Sequence, residues 1–106
     1  MREIEPGHVY ELRHLDGQQS QTIHFVRRDE GAEPAEGVTA QEIVRVLIAR
    51  MLYVNARVPC SENIAVIENL RSCLVLLETR AARRRLEKLE RPEAAAVDPR
   101  DGHLHT

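Results

Sequence analysis

The sequence has little of what small folds use to build a core or to staple one. Its 106 residues include no tryptophan, one phenylalanine, two tyrosines and two cysteines. So few aromatic side chains limit the core that one chain of this length can bury. The cysteines, Cys60 and Cys73, lack the paired spacing of a zinc site and are too few for a disulfide framework. They indicate reduced, partly buried thiols in an intracellular protein.

Long apolar runs and excess positive charge are also missing. No run reaches the roughly 20 residues that a membrane-spanning helix needs, so no membrane contact is expected. The formal net charge is -2, which argues against the basic field of a nucleic-acid binder. Lys88 is the only lysine. Basic charge therefore comes from arginine, which either grips phosphate groups or only reflects a G+C-rich genome.

The N-terminal part of the sequence predicts a β-hairpin after a polar lead of residues 1–7. Two strand-like runs, residues 8–15 and 19–28, flank Asp16-Gly17, a pair typical of a two-residue type I′ turn. The resulting register pairs Leu12 with Gln21, Tyr10 with Ile23, and His8 with Phe25. The hairpin is followed by an acidic loop, residues 29–38, which we expect to be mobile.

Two helices are predicted after the loop. Thr39-Ala40-Gln41-Glu42 is a capping box that opens a helix over residues 39–55. Its apolar residues cover more than one stripe, so part of them is expected to face the next helix and part another subunit. The second helix is predicted over residues 61–90 with Ser61 as N-cap. A short connection makes the two helices antiparallel neighbours.

The second helix has an apolar seam in which branched residues recur every three or four positions: Ile64, Ile67, Leu70, Leu74 and Leu77. Pro92 ends the helix, and residues 93–106 are predicted to be disordered. The predicted fold is therefore α+β, with an N-terminal β-hairpin and a long antiparallel two-helix hairpin in a single domain over residues 8–90. A domain this small is expected to complete its core by oligomerising.

Polar side chains that could bind a ligand lie near both ends of the second helix. Asn63 lies in the first turn, where free backbone N–H groups attract anions, and Arg80 and Arg84 share one face near the other end. At about 1.5 Å per residue, Asn63 and Arg80 lie roughly 25 Å apart. If both serve one small ligand, a second chain has to supply the missing end.

Each of these residues also has a simpler interpretation. Arginines near a helix C-terminus are favoured by the macrodipole, and Glu78, Glu87 and Glu90 offer ion-pair partners. Asn63 can be an ordinary first-turn residue. Tyr53, predicted at the same end of the helix pair as Asn63, either stacks a nucleobase or closes the end of the core.

Arg28 is the last candidate residue. It leaves the second strand and either covers a bound anion or is a solvated strand end. No catalytic constellation, glycine-rich phosphate loop or metal-ligand spacing accompanies these residues. We therefore expect neither an enzyme nor a cofactor or metal.

The order of motifs resembles a phage family, the Thoeris anti-defence sponges, which are related to the cyclic-oligonucleotide sponges that act against CBASS. The resemblance covers roughly residues 8–88 without the loop. It is carried by Tyr10-Glu11-Leu12, Gln21-Thr22-Ile23, Phe25-Val26, Arg28, the run from Gln41 to Ile48 with Arg50, and then Pro59-Cys60, Glu62-Asn63, Leu70-Arg71, Leu74, Leu77-Glu78 and Arg80-Ala81.

The resemblance implies a dimer, or a hexamer built as a trimer of dimers, in the cytoplasm of an infected bacterium. It implies binding of glycocyclic ADP-ribose or cyclic oligonucleotides without turnover. Carried over by position, the ligand-facing aromatic is Tyr53, where relatives often have phenylalanine, and the amide is Asn63. The phosphate-binding arginines are Arg80 and Arg84, with Arg28 reaching from the strand end. The alternatives are a helical protein-interaction module without a nucleotide ligand and, disfavoured by charge, a nucleic-acid binder using the basic stretch from Arg80 to Arg91.

Overall fold

The computed structural model describes residues 1–28 and 34–90, which belong to two compact units, residues 1–39 and the helical part from Ala40 onward. The first unit contains β1 (Arg2–Glu5), β2 (Val9–Arg13) and β3 (Ser20–His24), and the second contains α1 (Ala40–Arg57) and α2 (Ser61–Glu90). The α+β class with N-terminal strands is confirmed. The boundary between the two units follows Thr39, and the single domain predicted over residues 8–90 stays a prediction.

The three strands form one antiparallel sheet in the order β1-β2-β3. The predicted polar lead is therefore wrong in part, since β1 adds a third strand to the hairpin. The predicted register is confirmed at Tyr10↔Ile23 and Leu12↔Gln21. Beyond β2, the Phe25 N–H donates to the His8 carbonyl at 2.7 Å, which continues the same pairing.

The predicted type I′ turn is wrong. The His14 N–H donates to the Gln19 carbonyl at 2.9 Å, so four residues lie in the loop. Gly17 has a φ of 77°, but no residue other than glycine has positive φ among the described ones, so Asp16 cannot take its place in a type I′ turn. The Asp16 side chain instead accepts the Gln18 N–H at 3.0 Å. The predicted register is still correct, because the predicted two-residue loop and the observed four-residue loop are both centred on the peptide bond between Asp16 and Gly17.

Part of the predicted mobile loop is bound to the backbone that follows β3. Arg27 and Ala35 exchange two backbone hydrogen bonds of 3.0 and 3.2 Å, and the Val38 N–H donates to the His24 carbonyl at 2.8 Å. A Cβ on Gly37 would come within 2.4 Å of that same carbonyl oxygen, so glycine permits this close approach. Residues 29–33, the rest of the loop, lie outside the described residues.

One carboxylate links all three strands. Glu11 accepts hydrogen bonds of 3.0 Å from the Ser20 hydroxyl and from the Arg2 guanidinium. These two donors lower the pKa of Glu11 from its ordinary value. A lowered folded-state pKa means that the stabilisation is present above the unfolded-state pKa and is lost as the pH falls through the folded one.

The helix boundaries follow the sequence closely. α1 begins after Thr39 as predicted and ends at Arg57, two residues later than expected. α2 spans the predicted range, but Ser61 is already helical. The Cys60 carbonyl accepts the Ile64 N–H at 3.3 Å, so Cys60 holds the N-cap position that was predicted for Ser61. The predicted disordered tail, residues 93–106, lies outside the described residues.

α1 and α2 pack along a narrow seam. On α2 the side chains of Ile67 and Ala81 are 5% and 1% exposed, and they are the only buried apolar residues in the described part of the chain. Half-buried residues between them continue the spacing of three and four: Leu70, Leu74 and Leu77. Ile64 was predicted as a seam residue, but its side chain is 49% exposed, so that prediction is wrong. Asn63 holds that place instead.

Many apolar side chains therefore stay outside the seam. On α1, Val46 and Leu52 are 60% and 45% exposed, and on α2, Val75 and Leu76 are 63% and 69% exposed. Neither helix is long and apolar enough to cross a membrane. The sequence predicted that α2 would cover only part of the apolar surface of α1, and within this chain that prediction is confirmed.

The seam predicts a difference between two isoleucines of α2. Ile67→Ala should lower the free energy of unfolding by about 2–3 kcal/mol because it leaves a cavity, and Ile64→Ala by less than about 1 kcal/mol. The gain in helix propensity is the same for both, so it cancels in the comparison. Urea unfolding at one protein concentration measures both values, and equal losses would contradict the seam.

Candidate functional site

Arg80 and Arg84 are both exposed and share one face of α2, one turn apart. The acids that stand closest to them in sequence are engaged elsewhere. Glu78 pairs with Arg45 of α1, and the Glu87 carboxylate lies 3.8 Å from the Arg83 guanidinium. Within residues 1–28 and 34–90, neither Arg80 nor Arg84 forms an ion pair. Two adjacent guanidinium groups are thus left available to an anion.

Asn63 serves the connection between the helices. Its side-chain amide donates to the Val58 backbone carbonyl at 3.2 Å, and the side-chain Oδ1 of Asn55 accepts the Cys60 N–H at 3.1 Å. The two asparagines close the turn from both sides. A ligand that reads the Asn63 amide has its oxygen and one remaining N–H to work with.

The first turn of α2 already holds a negative charge. The pKa of Glu62 is lowered by its own backbone N–H and by hydrogen bonds from Ser61 and Cys60. The Ser61 hydroxyl donates to this carboxylate at 3.3 Å. An anionic ligand at the predicted first-turn site has to displace or repel Glu62, so the helix terminus alone is a poor phosphate site.

Tyr53 is 56% exposed and lies between two arginines of the same helix. The guanidinium carbons of Arg50 and Arg57 lie 5.9 and 5.6 Å from the centre of its ring. Neither arginine was predicted as a neighbour of Tyr53. Their spacing of three before and four after the tyrosine was the available indication, since residues so spaced meet on a helix.

The candidate residues of the helical unit do not converge within one chain. Tyr53 and Asn63 lie at the same end of the helix pair, as predicted. Successive residues turn by about 100° around a helix, so Tyr53 lies on the side of α1 opposite the half-buried Ile48 and Met51. Asn63, in contrast, is half-buried and lies on the side of α2 that carries the seam. α2 is one continuous helix, so Asn63 and Arg80 are separated by roughly 25 Å.

The remaining candidates give less. Arg28 is exposed, and it is the last described residue before the range 29–33 that lies outside the described residues. Cys60 and Cys73 are free and both exposed, so the prediction that they are partly buried is wrong. Among residues 1–28 and 34–90 there is no group of histidine, cysteine and acidic side chains suited to a metal ion.

Comparison with protein-family models, with curated protein sequences and with solved structures gives no match. The resemblance to the sponge family therefore stays a prediction.

The hydrogen bond from Asn63 predicts a structural effect that any binding experiment has to take into account. Asn63→Ala should lower the free energy of unfolding by about 1 kcal/mol, because it removes the bond to Val58. Asn69→Ala is the matched control: the Asn69 amide also donates to a carbonyl, that of Ala65 at 2.8 Å, but within one exposed turn of α2.

Asn69→Ala should be close to neutral, since alanine favours the helix and no connection is held by that bond. Urea unfolding of both variants measures the difference. Equal stability of the two variants would contradict a structural role for Asn63.

Proposed function

We propose that this protein is a phage anti-defence sponge that binds cyclic nucleotide immune signals, glycocyclic ADP-ribose or cyclic oligonucleotides, and sequesters them without degrading them. The observation that carries the proposal is the pair Arg80 and Arg84. Both are exposed, both lie on one face, and the neighbouring acids are occupied by Arg45 and Arg83.

Charge chemistry supports a phosphate ligand at this pair. Side chains four residues apart on a helix have Cβ atoms about 5–6 Å from each other, a spacing that lets two guanidinium groups hold one pyrophosphate or two phosphates. Each charge-assisted hydrogen bond contributes about 1.5–3 kcal/mol when water is excluded. The pair is exposed in one chain, so its full contribution requires a covered site.

A second copy of the chain is proposed to provide that cover. With Ile67 and Ala81 as its buried apolar residues and large side chains such as Val75 and Leu76 exposed, one described chain has an incomplete core. In the proposed dimer, which assembles further into a trimer of dimers, Asn63 of one chain meets Arg80 and Arg84 of another, and Tyr53, on the outer side of α1, is proposed to hold a base at a separate position. Arg28 is proposed to reach the same ligand.

The second candidate function is a helical protein-interaction module. The exposed apolar residues of α1, Val46, Leu47 and Leu52, favour it because they would suit a partner helix as well as a second copy. The two functions differ in their response to small molecules. A tightly bound nucleotide raises the melting temperature by mass action, whereas an interaction module without a ligand does not respond.

Substitution of the arginine pair tests the proposed function. The double variant Arg80→Ala and Arg84→Ala should keep its oligomeric state and lose at least about 100-fold in affinity, the loss expected when two charge-assisted bonds are removed. Calorimetric titration with a panel of cyclic nucleotides and cyclic ADP-ribose isomers measures it. The bound compound should be recovered unchanged when the protein is unfolded.

Arg85→Ala is the matched control, since Arg85 is also exposed and without an ion pair among the described residues. It should bind as the native protein does. Undiminished binding by the double variant would refute the site, and recovery of a chemically altered compound would refute sequestration.

A further inference from the structure

Three residues on the outer side of α1 form a cluster that the proposed site does not use in full. Arg50, Tyr53 and Arg57, here called the tyrosine–arginine cluster, follow one another at spacings of three and four along the helix. Both guanidinium carbons lie within 6 Å of the ring centre, at 5.9 and 5.6 Å. The Arg57 guanidinium also lies 3.5 Å from the Tyr53 hydroxyl.

No carboxylate among residues 1–28 and 34–90 neutralises the charge of this cluster. Residues 46–57 contain no aspartate or glutamate. Within the described residues, neither Arg50 nor Arg57 pairs with a carboxylate, whereas Arg2, Arg27, Arg45 and Arg83 each do. The helix macrodipole favours a cation in the last turn, which accounts for Arg57 but not for Arg50 two turns from the end.

The contacts within the cluster are of a kind that a ligand can replace. A cation–π contact at an exposed site is weaker than the stacking of a nucleobase on an aromatic side chain. A base that takes one face of Tyr53 would release a guanidinium group from the ring. The released group stays within a side-chain length of the base, where a phosphate of the same ligand would lie.

We propose that the tyrosine–arginine cluster is a nucleotide site in which Tyr53 stacks the base and Arg50 and Arg57 hold the phosphates. This deepens the proposed function at Tyr53, because it supplies a phosphate grip on the same chain as the aromatic. It does not depend on Arg80 or Arg84, and its ligand class is any compound that joins an aromatic base to phosphate.

The chain offers a direct observation of this site, because it has two tyrosines and no tryptophan. In a Tyr10→Phe background the tyrosine ring resonances in an NMR spectrum belong to Tyr53 alone. The probes are ADP, adenosine and pyrophosphate. ADP should shift the Tyr53 ring resonances saturably, and adenosine and pyrophosphate should each bind more weakly than ADP because each makes half of the contacts.

The variant Arg50→Gln with Arg57→Gln should weaken ADP binding by about tenfold or more, as expected for the loss of charge-assisted bonds, and leave adenosine binding little changed. Arg71→Gln is the matched control, since Arg71 is an exposed arginine of α2 without an ion pair among the described residues. It should bind ADP as the native protein does. Unchanged amide spectra elsewhere show that the variants are folded.

An ADP titration that leaves the Tyr53 ring unshifted, or equal ADP affinity in the double glutamine variant, overturns the cluster as a nucleotide site. The outcome is separable from the proposed function. A protein that binds cyclic signals, but whose Tyr53 ring resonances ADP leaves unshifted, refutes the cluster and leaves the sponge standing. ADP binding at Tyr53 in a protein that takes no cyclic signal refutes the sponge and leaves the cluster standing.

Discussion

α2 packs on α1 through branched and small side chains at spacings of three and four, of which Ile67 and Ala81 are the most deeply buried. The seam is narrow, so large apolar side chains on the other faces of both helices stay in contact with solvent. It also brings Glu78 against Arg45, which removes that acid from Arg80. Among the described residues, the same packing thus leaves an incomplete core and helps to leave Arg80 and Arg84 without an ion pair, and both features of the proposed function depend on it.

The sequence predicts those parts of the fold that local rules decide. The capping box at Thr39 and the short connection before α2 placed both helices within two residues of their observed ends. The register of β2 and β3 followed from alternation around Asp16-Gly17. β1 was missed because a short, polar edge strand has no apolar periodicity and forms only by pairing with β2. Ile64 was misplaced because it falls within the 3.6-residue period yet lies beside the end of the seam.

The residue types of the candidate site were predictable from the sequence, but most of the ion pairs and hydrogen bonds that these residues form within the chain were not. The Arg83–Glu87 pair follows from the i,i+4 spacing within α2 and was readable from the sequence, whereas only the packing of α2 on α1 decides that Arg45 takes Glu78. Likewise, the amide of Asn63 was expected to face a ligand, and one of its two N–H groups is used to bind the Val58 carbonyl. The grouping of Tyr53 with Arg50 and Arg57 was readable from their helical spacing in the sequence, although within the helical unit only the arginines at the other end, on α2, were predicted as phosphate ligands.

The central proposal is that one ligand is held by two chains, because a continuous α2 keeps Asn63 and Arg80 roughly 25 Å apart. The most direct measurement mixes two variants that are each expected to bind the cyclic signal much more weakly than the native protein: one with Asn63→Ala, the other with Arg80→Ala and Arg84→Ala. Mixed dimers reassembled from them contain one complete site, formed by Asn63 of the second variant and the arginines of the first. Calorimetry on purified mixed dimers should therefore recover about half of the native sites at native affinity. Mixed dimers that bind nothing would contradict a site shared between chains.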